Sequence, residues 1–191
     1  QYGMFEVRMM VPNVETGLWP AVWFLGSDHE AVGWPRSGEM DLMEMGHKAI
    51  FRSAQGHANS SANNFVSANA IWYAQAACSA ANPTCAASIS NDVNYNSPYV
   101  PANGLNNRFV TYRLYWTSNE IRYAIVDQGK EHFLYTAPFG TNNAELRAAF
   151  NKPYFLIMNM AVGGDFTDAA SANQVSVEMP SKMYVDYVRL Y

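Results

Sequence analysis

The sequence predicts an antiparallel β-sandwich or barrel. Runs rich in β-branched and aromatic residues recur at hairpin spacing. Gly, Pro and Asn punctuate them, and only Ala144 to Phe150 (AELRAAF) has a convincing helical pattern. At 191 residues the chain is long enough for one sizeable core, so residues 1–191 read as a single domain without internal repeats.

Met4 to Val11 is a partly alternating strand that Pro12-Asn13 ends. Gly17 introduces LWPAVWFLG, where Trp19, Ala21, Trp23 and Leu25 share one face and Val22 and Phe24 the other. Both faces are apolar, so one of them must meet either a second sheet or a ligand. A loop from Ser27 to Ser37 carries Trp34-Pro35 and leads into an acidic strand. Lys48 to His57 reads as a further strand broken by Gly56.

From His57 to Asn107 the composition changes to Ala, Asn and Ser with scattered aromatics (Phe65, Trp72, Tyr73, Tyr95, Tyr99). That mixture predicts a long insertion of ordered loops over 57–107, with a helical turn near Ala74 to Ala77. Cys78 and Cys85 flank the turn former Asn82-Pro83, and in a secreted protein they would form a local disulfide. Strands then resume. Phe109 to Trp116 turns at Thr117-Ser118-Asn119 into Ile121 to Val126 as a hairpin, and His132 to Tyr135 is short. After the helix, Pro153 precedes Tyr154 to Val162, an apolar strand whose one polar residue is Asn159. A Gly163-Gly164-Asp165 turn follows, and Lys182 to Tyr191 alternates to the end.

Charged residues are only 15% of the chain, with a net charge of -4 and no basic run, which argues against nucleic acid and anionic membrane partners. No apolar run is long enough to cross a bilayer. Aromatics at 14% with so few charges suit an uncharged ligand with flat faces, such as a sugar.

The stretch Gly38-Glu39-Met40-Asp41-Leu42-Met43-Glu44 carries the chemistry. On a strand Glu39 and Asp41 point the same way, whereas strict alternation turns Glu44 to the other side. One inserted residue between Asp41 and Glu44, a β-bulge, restores the phase and puts all three acids on one face. An edge strand with solvated acids is the plainer reading. The bulky apolar spacers argue instead for a buried strand, where a row of acids is costly without a purpose. A metal site is a third reading, but no His or Cys joins the acids at ligand spacing.

The runs GLWPAVWFLG, WPRSGEMDLMEMGH, FLIMNMAVGG and MYVDYVRLY resemble glycoside hydrolase family 16 in its laminarinase-like branch, over Tyr2 to His57 and Phe109 to Tyr191. The gap of two residues between Asp41 and Glu44 resembles the bulged form found in endo-β-1,3-glucanases, agarases and carrageenases. The resemblance implies a jelly-roll β-sandwich of two antiparallel sheets whose concave face is a carbohydrate-binding cleft. It implies Glu39 as nucleophile, Glu44 as acid/base and Asp41 as the carboxylate between them. Trp34 would pack against the sugar next to the scissile bond, with Trp19 and Trp23 as cleft aromatics. His57 matches a histidine on the strand after the acidic one, and Asn159 and Phe166 fall near the cleft. No cofactor is implied for the chemistry, but Asp186 matches a position that often joins a structural calcium site.

Retention needs the two carboxyl groups about 5–5.5 Å apart. With the bulge absorbed, Glu39 and Glu44 are roughly 13 Å apart along a straight backbone, so the strand must bend concave. The charges of Asp41 and Glu39 are expected to raise the pKa of Glu44, within a group that titrates as a unit. His57 and Asn159 also have purely structural readings, since a buried polar side chain needs a partner in any case. His29, His47 and His132 carry no motif.

The resemblance begins well inside the family's fold, so either the form is truncated or another chain or copy supplies the missing strands. The apolar sheet edge or face left exposed predicts self-association as a homo-oligomer. Tyr115 stands where the family has an acidic residue. The expected function is a secreted endo-β-1,3-glucanase acting on laminarin-like or mixed-linkage glucans with retention. An agarase-like galactan hydrolase and a non-catalytic glucan-binding module are the rivals.

Overall fold

A computed structural model describes residues 1–89, 98–139 and 144–191. Tyr95 lies outside the described residues. Two antiparallel five-stranded sheets form the fold. One has the order β10-β1-β6-β7-β8, built from β1 (Gly3–Met10), β6 (Val110–Trp116), β7 (Glu120–Asp127), β8 (Lys130–Pro138) and β10 (Tyr184–Leu190). The other has the order β5-β4-β3-β2-β9, from β2 (Leu18–Gly26), β3 (Glu39–Met45), β4 (Val66–Tyr73), β5 (Ala86–Ser88) and β9 (Tyr154–Val162). Alternation sets the layers. Val22 and Phe24 of β2, Met40 and Met43 of β3, and Tyr112 and Leu114 of β6 are among the buried core.

β2, β3 and β9 and the β6–β7 hairpin form where their patterns place them. The β7–β8 turn needs two positive φ values, supplied by Gln128 (51°) and Gly129 (77°), as a two-residue hairpin requires. β8 is longer than His132 to Tyr135 because pairing with β7 extends it in both directions. The helix over Ala144–Phe150 is present, and we label it α3, after α1 (His29–Val32) and α2 (Ala49–Ala54). Cys78 and Cys85 form a disulfide, and Gln75–Ala77 is a 3₁₀ turn.

Two segments differ from expectation. Lys48 to His57 is not a strand, because α2 occupies most of it. Its first N–H, on Ala49, meets the Asp168 carboxylate at 3.0 Å, and Arg52 donates to the His47 and Ser60 carbonyls. These partners are remote in sequence or set by the turn itself, so periodicity could not show them. Within 57–107 the chain is not all loop: β4 pairs with β3 along most of its length. Its small residues suit this place, since Ala68 and Ala70 are fully buried beside the acidic strand.

β9 and β10 are the outer strands at corresponding ends of the two sheets. They expose Phe155, Met158 and Val162 on one and Val185, Val188 and Leu190 on the other. In the sheet that holds β1, β6 and β8, Arg113 bridges Glu6 (2.6 Å) and Glu131 (3.0 Å), and Tyr115 donates to Glu131 at 2.6 Å.

Candidate active site

β3 carries the bulge that the acidic stretch requires. Asp41 pairs with Asn69 and Glu44 with Ser67, so two residues, Leu42 and Met43, face the single Ala68 of β4. Leu42, Met43 and Met40 are all fully buried, and Glu39, Asp41 and Glu44 border one cavity of about 270 Å³. Gly46, just past the strand, has φ +101° and would place a Cβ 2.3 Å from the Leu18 carbonyl oxygen, so only glycine fits the turn that aims Glu44.

Each glutamate accepts a bond from an indole. Trp34 Nε1 donates to Glu39 Oε2 at 3.0 Å, and Trp19 Nε1 donates to Glu44 Oε1 at 3.1 Å. Trp19 is stacked on Phe166 at 4.2 Å, and Trp23 Nε1 donates to Asn159 Oδ1 at 2.8 Å on the cavity wall. Trp19, Trp23, Trp34, Asn159 and Phe166 thus gather around the acids.

Burial raises all three carboxyl pKa values. Glu44 is pushed up to about 7 by burial and by the charge of Glu39, against the downward pull of the Trp19 N–H. Asp41 is raised well above the usual carboxylate range by burial, then by Glu44 and Glu39. Glu39 is raised by burial but held down by bonds from Trp34 and Asp41. The charge that raises Glu44 is that of Glu39, whereas Asp41, hydrogen-bonded to Glu39, is itself raised by both glutamates, so the three acids titrate as one group.

His57 is not on the strand after the acidic one. It follows α2 with its ring edge-on to Phe65 at 6.0 Å, and the strand positions opposite Glu44 and Asp41 carry Ser67 and Asn69. It also does not border either cavity next to the acids. The sequence match failed because α2 and the turn after it intervene before β4 begins.

Asp186 lies on β10 in the opposite sheet, ion-paired with Arg8. No group of three or more His, Cys, Asp or Glu side chains that could hold a metal ion exists among the described residues. A guanidinium on Asp186 is the wrong partner for a calcium ligand, so the calcium expectation does not fit these residues.

His47, which has no sequence motif, lies beside the acids. It is buried, with Nε2 2.8 Å from Ser67 Oγ and its ring against Phe51, Phe65 and Phe166. Burial, with Arg52 adding, pulls its pKa down to about 3, so it is neutral.

A family model described as the XgeA-like catalytic GH16 domain matches residues 4–190. The chain belongs to glycoside hydrolase family 16. It is 28% identical over 196 residues to glucan endo-1,3-beta-glucosidase A1 of Niallia circulans, covering 100% of this chain and 24% of that protein. It is 29% identical over 201 residues to a beta-glucanase of Rhodothermus marinus, covering 100% of this chain and 57% of that one. The chain thus spans between about a quarter and just over half the length of these relatives. Among solved structures, a family 16 endo-glucanase of Bacteroides ovatus superposes with a TM-score of 0.72 at 25% identity, covering 100% of this chain and 70% of that chain. The laminarinase catalytic domain of Thermotoga maritima gives a TM-score of 0.67 at 25% identity, covering 100% and 63%. The family 16 fold accounts for the two-sheet architecture and for the face on which the acids lie.

Proposed function

We propose that this family 16 domain is a secreted, retaining endo-hydrolase of β-1,3-glucosidic bonds in laminarin-like or mixed-linkage glucans. The observation that carries it is the pair of glutamates on one face of a bulged strand, each held by an indole N–H. Glu39, whose charged form accepts bonds from two donors, attacks the anomeric carbon as the carboxylate, and Glu44 gives its proton to the departing oxygen. Once Glu39 is esterified its charge is gone. The pKa of Glu44 then falls, which fits its second task of taking a proton from water. The shared cavity of about 270 Å³ puts both glutamates at one reaction space, as a nucleophile and acid/base pair requires.

A glucan is favoured over a sulfated galactan, because three acids and no cation line the reaction cavity. The relatives named as glucanases support the same substrate class. The disulfide supports secretion. Reducing-sugar release from laminarin, lichenan and agarose by the wild type and by Glu39→Gln tests this reading. Release from laminarin that Glu39→Gln abolishes is expected. Binding without turnover would leave a glucan-binding module, and release from agarose alone would transfer the activity to galactans.

The exposed apolar residues of β9 and β10 support self-association between copies of the chain. Light scattering across micromolar concentrations should show dimers or larger species, and a monomer throughout would remove this part of the proposal.

A further inference from the structure

Two cavities meet at Glu44. The first contains Glu39 and Asp41; the second, of about 580 Å³, contains neither and lies between Trp19, α2 and β4. Trp19 and Glu44 border both. An acid that protonates a glycosidic oxygen stands between the ring under attack and the ring that leaves. The attacked ring belongs with the nucleophile in the first cavity, so the departing chain runs into the second.

We propose that Phe51 on α2 and Asn69 on β4 are the residues that hold the departing sugar in this second cavity. This rests on the hydrolase reading above. Phe51 has one face stacked on His47, with ring centroids 4.9 Å apart, and its ring borders the cavity as a flat apolar surface for a pyranose. The carboxamide oxygen of Asn69 is already engaged by Ser88 Oγ at 2.7 Å and by the Ala70 N–H at 2.9 Å. That leaves its NH₂ group, which has no partner among the described residues, as a donor to a sugar hydroxyl.

The site is held in place before any ligand arrives. The Lys48 N–H donates to the Phe166 carbonyl at 2.9 Å and the Ala49 N–H to Asp168 at 3.0 Å, tying α2 to the loop after β9. Ser67 keeps hydrogen-bonding capacity beyond its bond to His47. Besides Glu44, Lys48 and Asp165 place one charge of each sign at the walls, which suits a neutral hydroxylated ligand better than an anion.

The experiment compares a laminarin oligosaccharide with the same donor sugars carried as a β-fluoride, whose leaving atom needs no sugar site. Phe51→Leu keeps apolar volume against His47 and removes the ring face; Asn69→Ala removes the donor. Each should lower kcat/KM on the oligosaccharide about tenfold, as expected for roughly 1.4 kcal/mol of lost transition-state binding. Each should change kcat/KM on the fluoride by less than about twofold, a split that a folding defect does not produce. Equal losses on both substrates, or no loss on the oligosaccharide, would overturn the site while leaving the hydrolase reading intact. A wild type inert on both substrates would sink the two together. The variants sit on different elements, so a folding defect in one leaves the other to decide.

Discussion

Trp19 donates its indole N–H to Glu44 Oε1 at 3.1 Å while its ring lies flat against Phe166 at 4.2 Å. The stack fixes the indole plane, so the proton meets the carboxylate from one direction. A donor of this kind favours the ionised form and opposes burial, which pushes Glu44 up.

Trp19→Phe keeps a ring on Phe166 and removes the donor. The pKa of Glu44 should then rise above about 7, since its charged form loses a stabilising bond. The general acid stays protonated to higher pH, so the alkaline limb of kcat/KM on laminarin should move up by roughly one pH unit. A limb that stays in place would show that the indole does not tune the acid.

Glu44→Ala separates the acid role from the rest of the site. Hydrolysis of natural glucan should fall by about 10²–10⁴-fold, the usual range for a lost general acid. A substrate with an activated leaving group, which needs little protonation, should lose far less in the step that releases that group. Single-turnover kinetics on both substrates reads the difference, and equal losses would contradict the role.

The raised pKa of Glu44 also makes a stability statement. The folded state holds this proton more tightly than the unfolded chain, so the contribution is fully present below the ordinary glutamate pKa of 4.5 and is lost as pH rises through about 7. The loss amounts to at most ~3 kcal/mol. Glu44→Gln cannot ionise and should melt higher than the wild type at pH 8, with the gap closing toward pH 4. Melting curves across that range check it, and a gap independent of pH would refute the assignment.

Gly46→Ala tests the turn that ends the acidic strand. A Cβ there would lie 2.3 Å from the Leu18 carbonyl oxygen at φ +101°, so both clash and strain apply. The cost should be roughly 2 kcal/mol or more. Gly56→Ala, at φ +81° with nothing within 4 Å, carries only the strain and should cost about 1 kcal/mol. Chemical denaturation of both variants ranks them.

Much of the site was legible because its information is local. Glu39, Asp41 and Glu44 are separated by spacers whose count dictates a bulge, and the pairing of Asp41 with Asn69 and Glu44 with Ser67 follows from it. The β6–β7 hairpin and the α3 helix rest on patterns of similar reach. β4 was hidden because Ser, Ala and Asn signal loops in isolation, and only their place against β3 gives small residues a use. α2 was hidden because its first N–H group is answered by Asp168, 119 positions away.

The sequence by itself determined an antiparallel β-protein, sandwich or barrel, and the need for a bulge if three acids are to share one face, since side-chain alternation is a property of neighbouring residues. Tertiary structure alone decided which partners those acids meet. It brought Trp19 and Phe166 to Glu44, buried Asp41 between two glutamates that raise its pKa, placed His47 rather than His57 beside the cleft, and put Arg8 on Asp186. Burial and hydrogen bonding across sheets set those outcomes, and neither exists until segments distant in the chain have packed together.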